Sequence, residues 1–331
     1  MIEQHNIVGG MCTSWKRKGY LFEGAVHWLT GSNPKTALNE IWRDTGALSD
    51  NVRILYHEPF ASVEWEGKTV CLYRDMEKTR KQLLEISPED ADVINQLMKD
   101  VYALTKIQIP ITDVKGVKIQ NPKKMGLGSL IKMFPAISAM GKISKISGDE
   151  YASRFKHPAL RKVIGYMPPD SSATTLLFTL ATLAVGDGGY PEGGTALTVP
   201  FMNDTYDFWK RAKDEGWYEA EKQSLAEQIC RAVCTKYPQA EGKIEVIDIA
   251  TPLTYEHYTG AYHGSWMGIM SKGDKQTQYP GYLDSIKGVY FAGHRMTSPG
   301  GMPVALLSGR NAAQMVCKQF DTVLLAASNY Q

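Results

Sequence analysis

The stretch VYFAGHRMTSPGGMPVALLSGRNAA, residues 289–313, limits the possible folds of this chain more than any other part of it. It reads as a buried strand that stops at Gly293, a loop holding Gly300 and Gly301, and a helix that carries Ser308-Gly309-Arg310. Pro303 suits the first helical turn, where a missing N–H is no loss. A helix start preceded by glycines leaves N–H groups and a partial positive charge facing outward, suited to a phosphate or to an electron-rich ring edge. Chains that lay backbone against a dinucleotide are built this way. Ser308-Gly309 reads as close packing against another backbone. Yet the usual phosphate cradle, Gly-x-Gly-x-x-Gly, is absent from all 331 residues.

The other end of the chain supplies matching pieces. In IEQHNIVGGMCTSWKRKGYLFEGAVHWL, residues 2–29, Glu3 closes a short predicted strand. There its carboxylate either accepts hydrogen bonds from the hydroxyls of an adenosine ribose or is simply solvated. Gly9-Gly10 either admits close backbone approach or makes a plain tight turn. Alternation resumes in YLFEGAVHW.

Charge excludes some partners. Thirty-seven Lys+Arg against thirty-five Asp+Glu leave a formal +2, so no global field argues for nucleic acid. The five cysteines, Cys12, Cys71, Cys230, Cys234 and Cys317, are scattered without metal-ligand spacing, and they fit a reducing compartment. The opening MIEQHNIVGG lacks the regions of a signal peptide. The apolar run LLFTLATLAV, residues 176–185, is about half a bilayer span of roughly 20 residues. These features together predict a cytoplasmic location.

Between the ends, NPKTALNEIWRDTGAL has helical spacing and stops at Gly46, and short strands are predicted around VRILYHE and KTVCLYR. From Asp75 to about Gly186 the reading is mostly helical. There Ser87 is placed to cap, Pro88 sits in a first turn, and Asp90 takes the capping-box position. KKMGLGSLIKMFPAISAMGKISK, residues 123–145, mixes lysines with apolar residues; it is either a helix packed on the core or an interfacial helix at a membrane. A glycine-rich junction, residues 185–202, precedes the amphipathic helix YEAEKQSLAEQICRAVCTKYP, a predicted strand KIEVIDIATPL, and the aromatic stretch YEHYTGAYHGSWMG.

The N-terminal stretch, PLTYEHYTG and the terminal motif together resemble the NAD(P)/FAD-dependent oxidoreductases of the phytoene desaturase, carotenoid isomerase and retinol saturase type, within the wider amine-oxidase-like flavoproteins. The resemblance implies an α/β chain, α+β overall: an incomplete Rossmann-like FAD-binding domain with an inserted substrate domain of mixed sheet plus a helical subdomain. The FAD-binding parts would be residues 1–50 and 263–331. The substrate domain would be 51–262, with its helical subdomain at 75–186. Family members begin with a strand and the Gly-x-Gly-x-x-Gly turn, whereas this sequence joins the pattern at Glu3, and a second, internal deletion is expected near 190–194.

By the same resemblance FAD is the cofactor. Glu3 would bind the ribose, Gly9 and Gly10 would lie along the cofactor, and Lys16 and Arg17 would reach phosphate. Gly293, His294, Gly300, Gly301 and Met302 would line the pyrophosphate and flavin. In many relatives an acidic residue stands at the position of His294, which is here either a contact or a polar loop residue. His27, Trp28, Tyr255, Tyr258 and Trp266 are candidates for the wall around an apolar substrate, or are packing residues. No acid–base pair, nucleophile or metal set stands out. The implied activity is oxidoreduction at carbon–carbon bonds of an apolar polyene or isoprenoid. Peripheral membrane contact is the alternative that the lysine and apolar pattern of 123–145 leaves open beside core packing. The alternatives are a non-catalytic apolar-ligand binder and an incomplete fragment of a larger flavoprotein.

Overall fold

The structure, a computed structural model, describes residues 9–12, 14–23, 28–107, 111–119, 127–165, 173–187, 190–191, 205–265, 273, 278–297 and 300–325. Contacts divide the chain into two compact units, 1–26 with 193–266, and 27–192 with 267–331.

In the first unit, strands β1 (Ser14–Arg17) and β2 (Tyr20–Glu23) form an antiparallel hairpin. Its two-residue turn places Lys18 at φ 49° and Gly19 at φ 85°. Two positive φ values in a row match the right-handed twist of the strands, so this Lys-Gly pair does the work usually left to Asn-Gly. Helices α8 (Tyr206–Asp214), α9 (Tyr218–Lys236) and α10 (Pro252–Thr259) complete the unit. Trp209, Ala212, Leu225 and Ala226 are buried among them. The strand expected in KIEVIDIATPL does not form: residues 243–250 have no regular secondary structure and pair with no described strand. Ile244 and Val246 stay exposed, and side chains replace the missing ladder. Trp15 Nε1 donates to Asp248 Oδ2 at 3.0 Å, and Lys18 pairs with Glu245.

The second unit holds the main core. It opens with α1 (Ala37–Asp44), β3 (Ile54–Leu55), and the antiparallel hairpin of β4 (Ala61–Trp65) with β5 (Lys68–Leu72). Helices α2 (Met76–Ile86), α3 (Ala91–Leu104), α4 (Leu127–Ile143), α5 (Gly148–Ala152), α6 (Pro158–Ile164) and α7 (Ala173–Ala184) follow, with β6 (Lys118–Ile119) between α3 and α4. Short β7 (Tyr190–Pro191) pairs with β3. Next come β8 (Tyr282–Leu283), β9 (Ile286–Tyr290), α11 (Met302–Gln319) and β10 (Val323–Leu324), the last parallel to β6. The mixed helix and strand content agrees with the α/β class, and the described strands pair only in twos.

Leu83, Ile94, Leu97, Leu104, Phe155, Leu160, Ile164 and Leu177 are fully buried in one cluster spanning the helical region. Local chemistry sets the helix starts. Asp75 accepts from the N–H of Glu77 and Lys78, and Ser147 with Glu150 makes a reciprocal capping box.

Ser87 behaves differently from the expectation. Its hydroxyl donates to Asp90 Oδ2 at 2.8 Å and caps no helix. Pro88–Asp90 forms a 3-10 turn before α3, and Asp90 accepts from the N–H of Lys156 and His157 at 2.7 and 3.0 Å. Burial alone would raise the Asp90 pKa, but these two N–H groups and the Ser87 hydroxyl outweigh it and hold the carboxyl below its ordinary value.

The strand of the C-terminal motif departs from the expectation as well. β9 ends at Tyr290, short of Gly293, and Val289 and Phe291 are 42% and 39% exposed. Among the described residues its only ladder partner is the two-residue β8. Ile286 and Val289 stay exposed, while Tyr290 is half-buried and its hydroxyl donates to Gln319 of α11 at 2.8 Å.

Candidate functional site

The C-terminal motif forms a glycine-lined loop at the start of α11. Gly301 is the N-cap, Met302 begins the helix and Pro303 sits in its first turn. Gly293, Gly300 and Gly301 have φ values of 152°, 94° and 99°, a region that L side chains rarely adopt. The three differ in what surrounds them. A Cβ on Gly300 would lie 2.5 Å from the His294 carbonyl oxygen, so the loop closes on itself there. A Cβ on Gly293 would meet nothing within 4 Å, and one on Gly301 only Pro303 Cδ at 3.8 Å. These two glycines therefore present bare backbone to open space, next to helix N–H groups that have no intrahelical acceptor. A flat or anionic group fits against such a surface.

The loop is held from behind by α11. Ser308 Oγ accepts from the Gly293 N–H at 3.0 Å and directs its proton to the carbonyls of Ala305 or Gly293, at 3.1 and 3.2 Å. The helix is fixed in turn by Met302, Leu306 and Leu307 against buried Leu38, Trp42 and Leu48. Further along, Arg310 forms an ion pair with Asp113, whose Oδ1 also accepts from Gln314 Nε2 at 2.9 Å. The close packing expected at Ser308-Gly309 is not found: Ser308 serves as a tether, and a Cβ on Gly309 would meet nothing within 4 Å.

His294 is half-buried, and burial, with Arg295 beside it, lowers its pKa. Arg295 Nε donates to His294 Nε2 at 3.1 Å, which requires the neutral ring with its proton on Nδ1. Acidification would charge the ring next to a cation and break this bond.

In the same unit, Trp28 meets the Phe60 ring edge-on, with centroids 5.5 Å apart, and Arg74 lies over the rings of Tyr56 and Phe60 at 5.1 and 5.8 Å. A buried carboxylate secures the loop that follows Trp28. Asp187 accepts from Gly31 N–H, Ser32 Oγ and Asn33 N–H at 2.7, 2.8 and 3.0 Å. A Cβ on Gly31, at φ 90°, would lie 2.8 Å from Leu38 Cγ and 2.9 Å from Trp42 Nε1. Sequence reading passed over Asp187 because it looked like one residue of a glycine junction; its position just after α7 was the available signal.

The first unit holds the other described candidates. Gly9 and Gly10 adopt φ 127° and 56° in a turn closed by the Cys12 N–H on the Gly9 carbonyl at 3.0 Å. Lys16 is exposed at the hairpin, while Arg17 Nε lies 3.6 Å from Asp248 Oδ2, so Arg17 already has an anionic neighbour. Tyr255 is half-buried, with its hydroxyl pKa raised by burial, and Tyr258 is exposed with its ring edge-on to His257. One cluster was not foreseen: His263 stacks between Tyr206 and Tyr262, with centroids 4.2 and 3.9 Å away, and the Tyr206 hydroxyl donates to Glu256 at 2.6 Å. Glu3, His27, Trp266 and most of the junction near 190–194 lie outside the described residues.

Comparison with known families gives two matched segments. Residues 1–45 match the NAD(P)-binding Rossmann-like domain, and residues 150–317, half of the chain, match the flavin containing amine oxidoreductase family. A search of curated proteins finds no match. Every candidate residue falls inside one of the two matched segments, whereas 46–149, which includes α2, α3 and α4, falls outside both. The open glycine backbone at Gly293 and Gly301 is the kind of surface a flavin cofactor needs, and the chain belongs to the flavin containing amine oxidoreductases, with FAD as the cofactor that this membership brings.

Proposed function

We propose that this protein is an FAD-dependent oxidoreductase acting on carbon–carbon bonds of an apolar polyene or isoprenoid, of the phytoene desaturase type. The observation that carries the cofactor half of this reading is the bare backbone of Gly293 and Gly301 at the start of α11. When bound, FAD would supply a two-electron acceptor for the hydride of one C–H bond, the proton of the neighbouring C–H passing to solvent as the carbon–carbon single bond between them becomes double. The chain's own residues supply placement. Gly300, Gly301 and Met302 set the backbone against the cofactor, and Ser308 keeps Gly293 in register behind it. Glu3, Gly9, Gly10, Lys16 and Arg17 are assigned to the ribose and phosphates, and His294 to the loop edge.

The apolar half of the reading rests on the sequence resemblance and on the aromatic residues at the candidate positions. Trp28, Tyr255 and Tyr258, with His27 and Trp266, are assigned to the substrate wall. The FAD-binding parts are taken as 1–50 and 263–331, and the substrate domain as 51–262. We place the protein in the cytoplasm, in peripheral contact with membrane. Among the described residues, no helix is long and apolar enough to cross one.

The test is to incubate the flavin-loaded protein without oxygen, separately with a detergent-dispersed polyene and with a primary amine. Bleaching of the flavin by the polyene, with a product of longer conjugation, is expected. Bleaching by the amine alone would overturn the substrate assignment while leaving the family intact. A second reading, a non-catalytic binder of apolar ligands, is favoured by the exposed apolar side chains Ile286, Val289 and Phe291 on and beside β9; it predicts polyene retention by a protein that holds no flavin.

A further inference from the structure

Helix α4 is apolar on two sides. One side is spent on the core: Met133, Ala136 and Ile143 are buried, and Ala139 and Met140 pack beside them. Ile131, Phe134 and Ile137 are nonetheless 67%, 72% and 47% exposed. At about 100° per residue, these three positions and exposed Ser138, Gly141 and Lys142 fall within an arc of about 140°, facing away from the buried arc. Phe134 is among the most exposed large apolar side chains of the described chain, and it lies in the middle of this ridge.

Charge says what kind of surface would cover the ridge. From Val114 to Gly148 the sequence has seven lysines, Lys115, Lys118, Lys123, Lys124, Lys132, Lys142 and Lys145, and no aspartate, glutamate or arginine. The whole chain carries only +2, so everything outside this stretch is net negative. Lys118 is paired with Asp321. Lys142 and Lys145 are exposed, and no acidic side chain among the described residues pairs with either. Lysine charge flanking an exposed apolar ridge is the pattern of a helix lying in the plane of a membrane surface, its apolar side chains roughly 5–10 Å deep and its lysines at anionic headgroups. A protein partner built for this ridge would need an apolar groove with an acidic rim; an anionic bilayer offers both features without shape matching.

We propose that α4 seats the protein on an anionic lipid surface, with Ile131, Phe134 and Ile137 entering the headgroup boundary and Lys142 and Lys145 contacting lipid phosphates. This inference rests on the peripheral membrane contact proposed above but not on the polyene substrate or on bound FAD, and α4 lies outside both matched family segments.

The experiment is flotation of the purified full-length chain with vesicles of phosphatidylcholine alone and of phosphatidylcholine mixed with phosphatidylglycerol. Binding to the mixed vesicles, weakening as salt is raised, is the expected result. Lys142→Glu and Lys145→Glu should each lower the partition coefficient about fivefold or more, the loss of one lysine's attraction to an anionic surface. Phe134→Ser should lower it at least as much on the same vesicles. These three side chains are exposed, so unchanged circular dichroism and melting temperature should accompany the loss. No flotation with either vesicle, or equal flotation of wild type and Phe134→Ser, would overturn the proposal. So would a wild-type dimer that Phe134→Ser converts to monomer without vesicle binding, since the ridge would then belong to a second copy of the chain.

Discussion

Two glycines in the same stretch of chain call for opposite outcomes. Gly300 has φ 94° and no room for a Cβ against the His294 carbonyl, so Gly300→Ala should destabilise the fold by about 1–3 kcal/mol and weaken flavin retention. Gly309 lies inside α11 with nothing within 4 Å of its Cβ position. Gly309→Ala should therefore stabilise by about 0.5–1 kcal/mol through helix propensity. Thermal melts of the two variants check both signs. Asp90 is a third residue with a definite expectation. Its carboxyl pKa lies below the ordinary value in the fold, so its stabilisation is fully present above the unfolded-state pKa and is lost as pH falls through the folded value. Asp90→Asn should cost about 1–3 kcal/mol at neutral pH and flatten the acid limb of the denaturation curve. An unchanged acid limb in urea melts at stepped pH would show that the N–H groups of Lys156 and His157 do not act through the charge.

The hairpins supply the prediction at the scale of elements. In β4–β5 the turn residues Glu66 and Gly67 have φ 48° and 74°, a conformation that Asn adopts more readily than Glu. Glu66→Asn should stabilise by several tenths to about 1 kcal/mol, measured by chemical denaturation, and a loss of stability would contradict the turn assignment. This scale also separates what sequence reading can recover from what it cannot. Helices α1, α3, α7 and α9 were legible because apolar residues recur at helical spacing within each. Strand β4 was missed because Glu-Gly is a weak turn signal beside Asn-Gly. KIEVIDIATPL was misread because a strand needs a partner as well as alternation, and its ties to β1 and the turn after it run through side chains instead. Of the candidate site, the glycines were legible since glycine is the residue that tolerates positive φ without a Cβ clash. The Asp187 clamp and the packing of Tyr206 on His263 were not, because their members come together only through folding, from positions well apart in sequence.

For the molecule as a whole, the family match and the open glycine loop agree on a flavin, while the sequence carries no Gly-x-Gly-x-x-Gly. Each charge-assisted hydrogen bond to a pyrophosphate contributes roughly 1.5–3 kcal/mol, so the affinity depends on how many such donors the rest of the chain provides. The most direct measurement is the visible absorption spectrum of the purified protein after incubation with excess FAD and desalting, for wild type and for Gly301→Val. Flavin bands retained by wild type and lost in a folded Gly301→Val variant are the expected result, placing the cofactor at the start of α11. A folded, colourless wild-type protein, or a variant that keeps its flavin, would contradict the assignment.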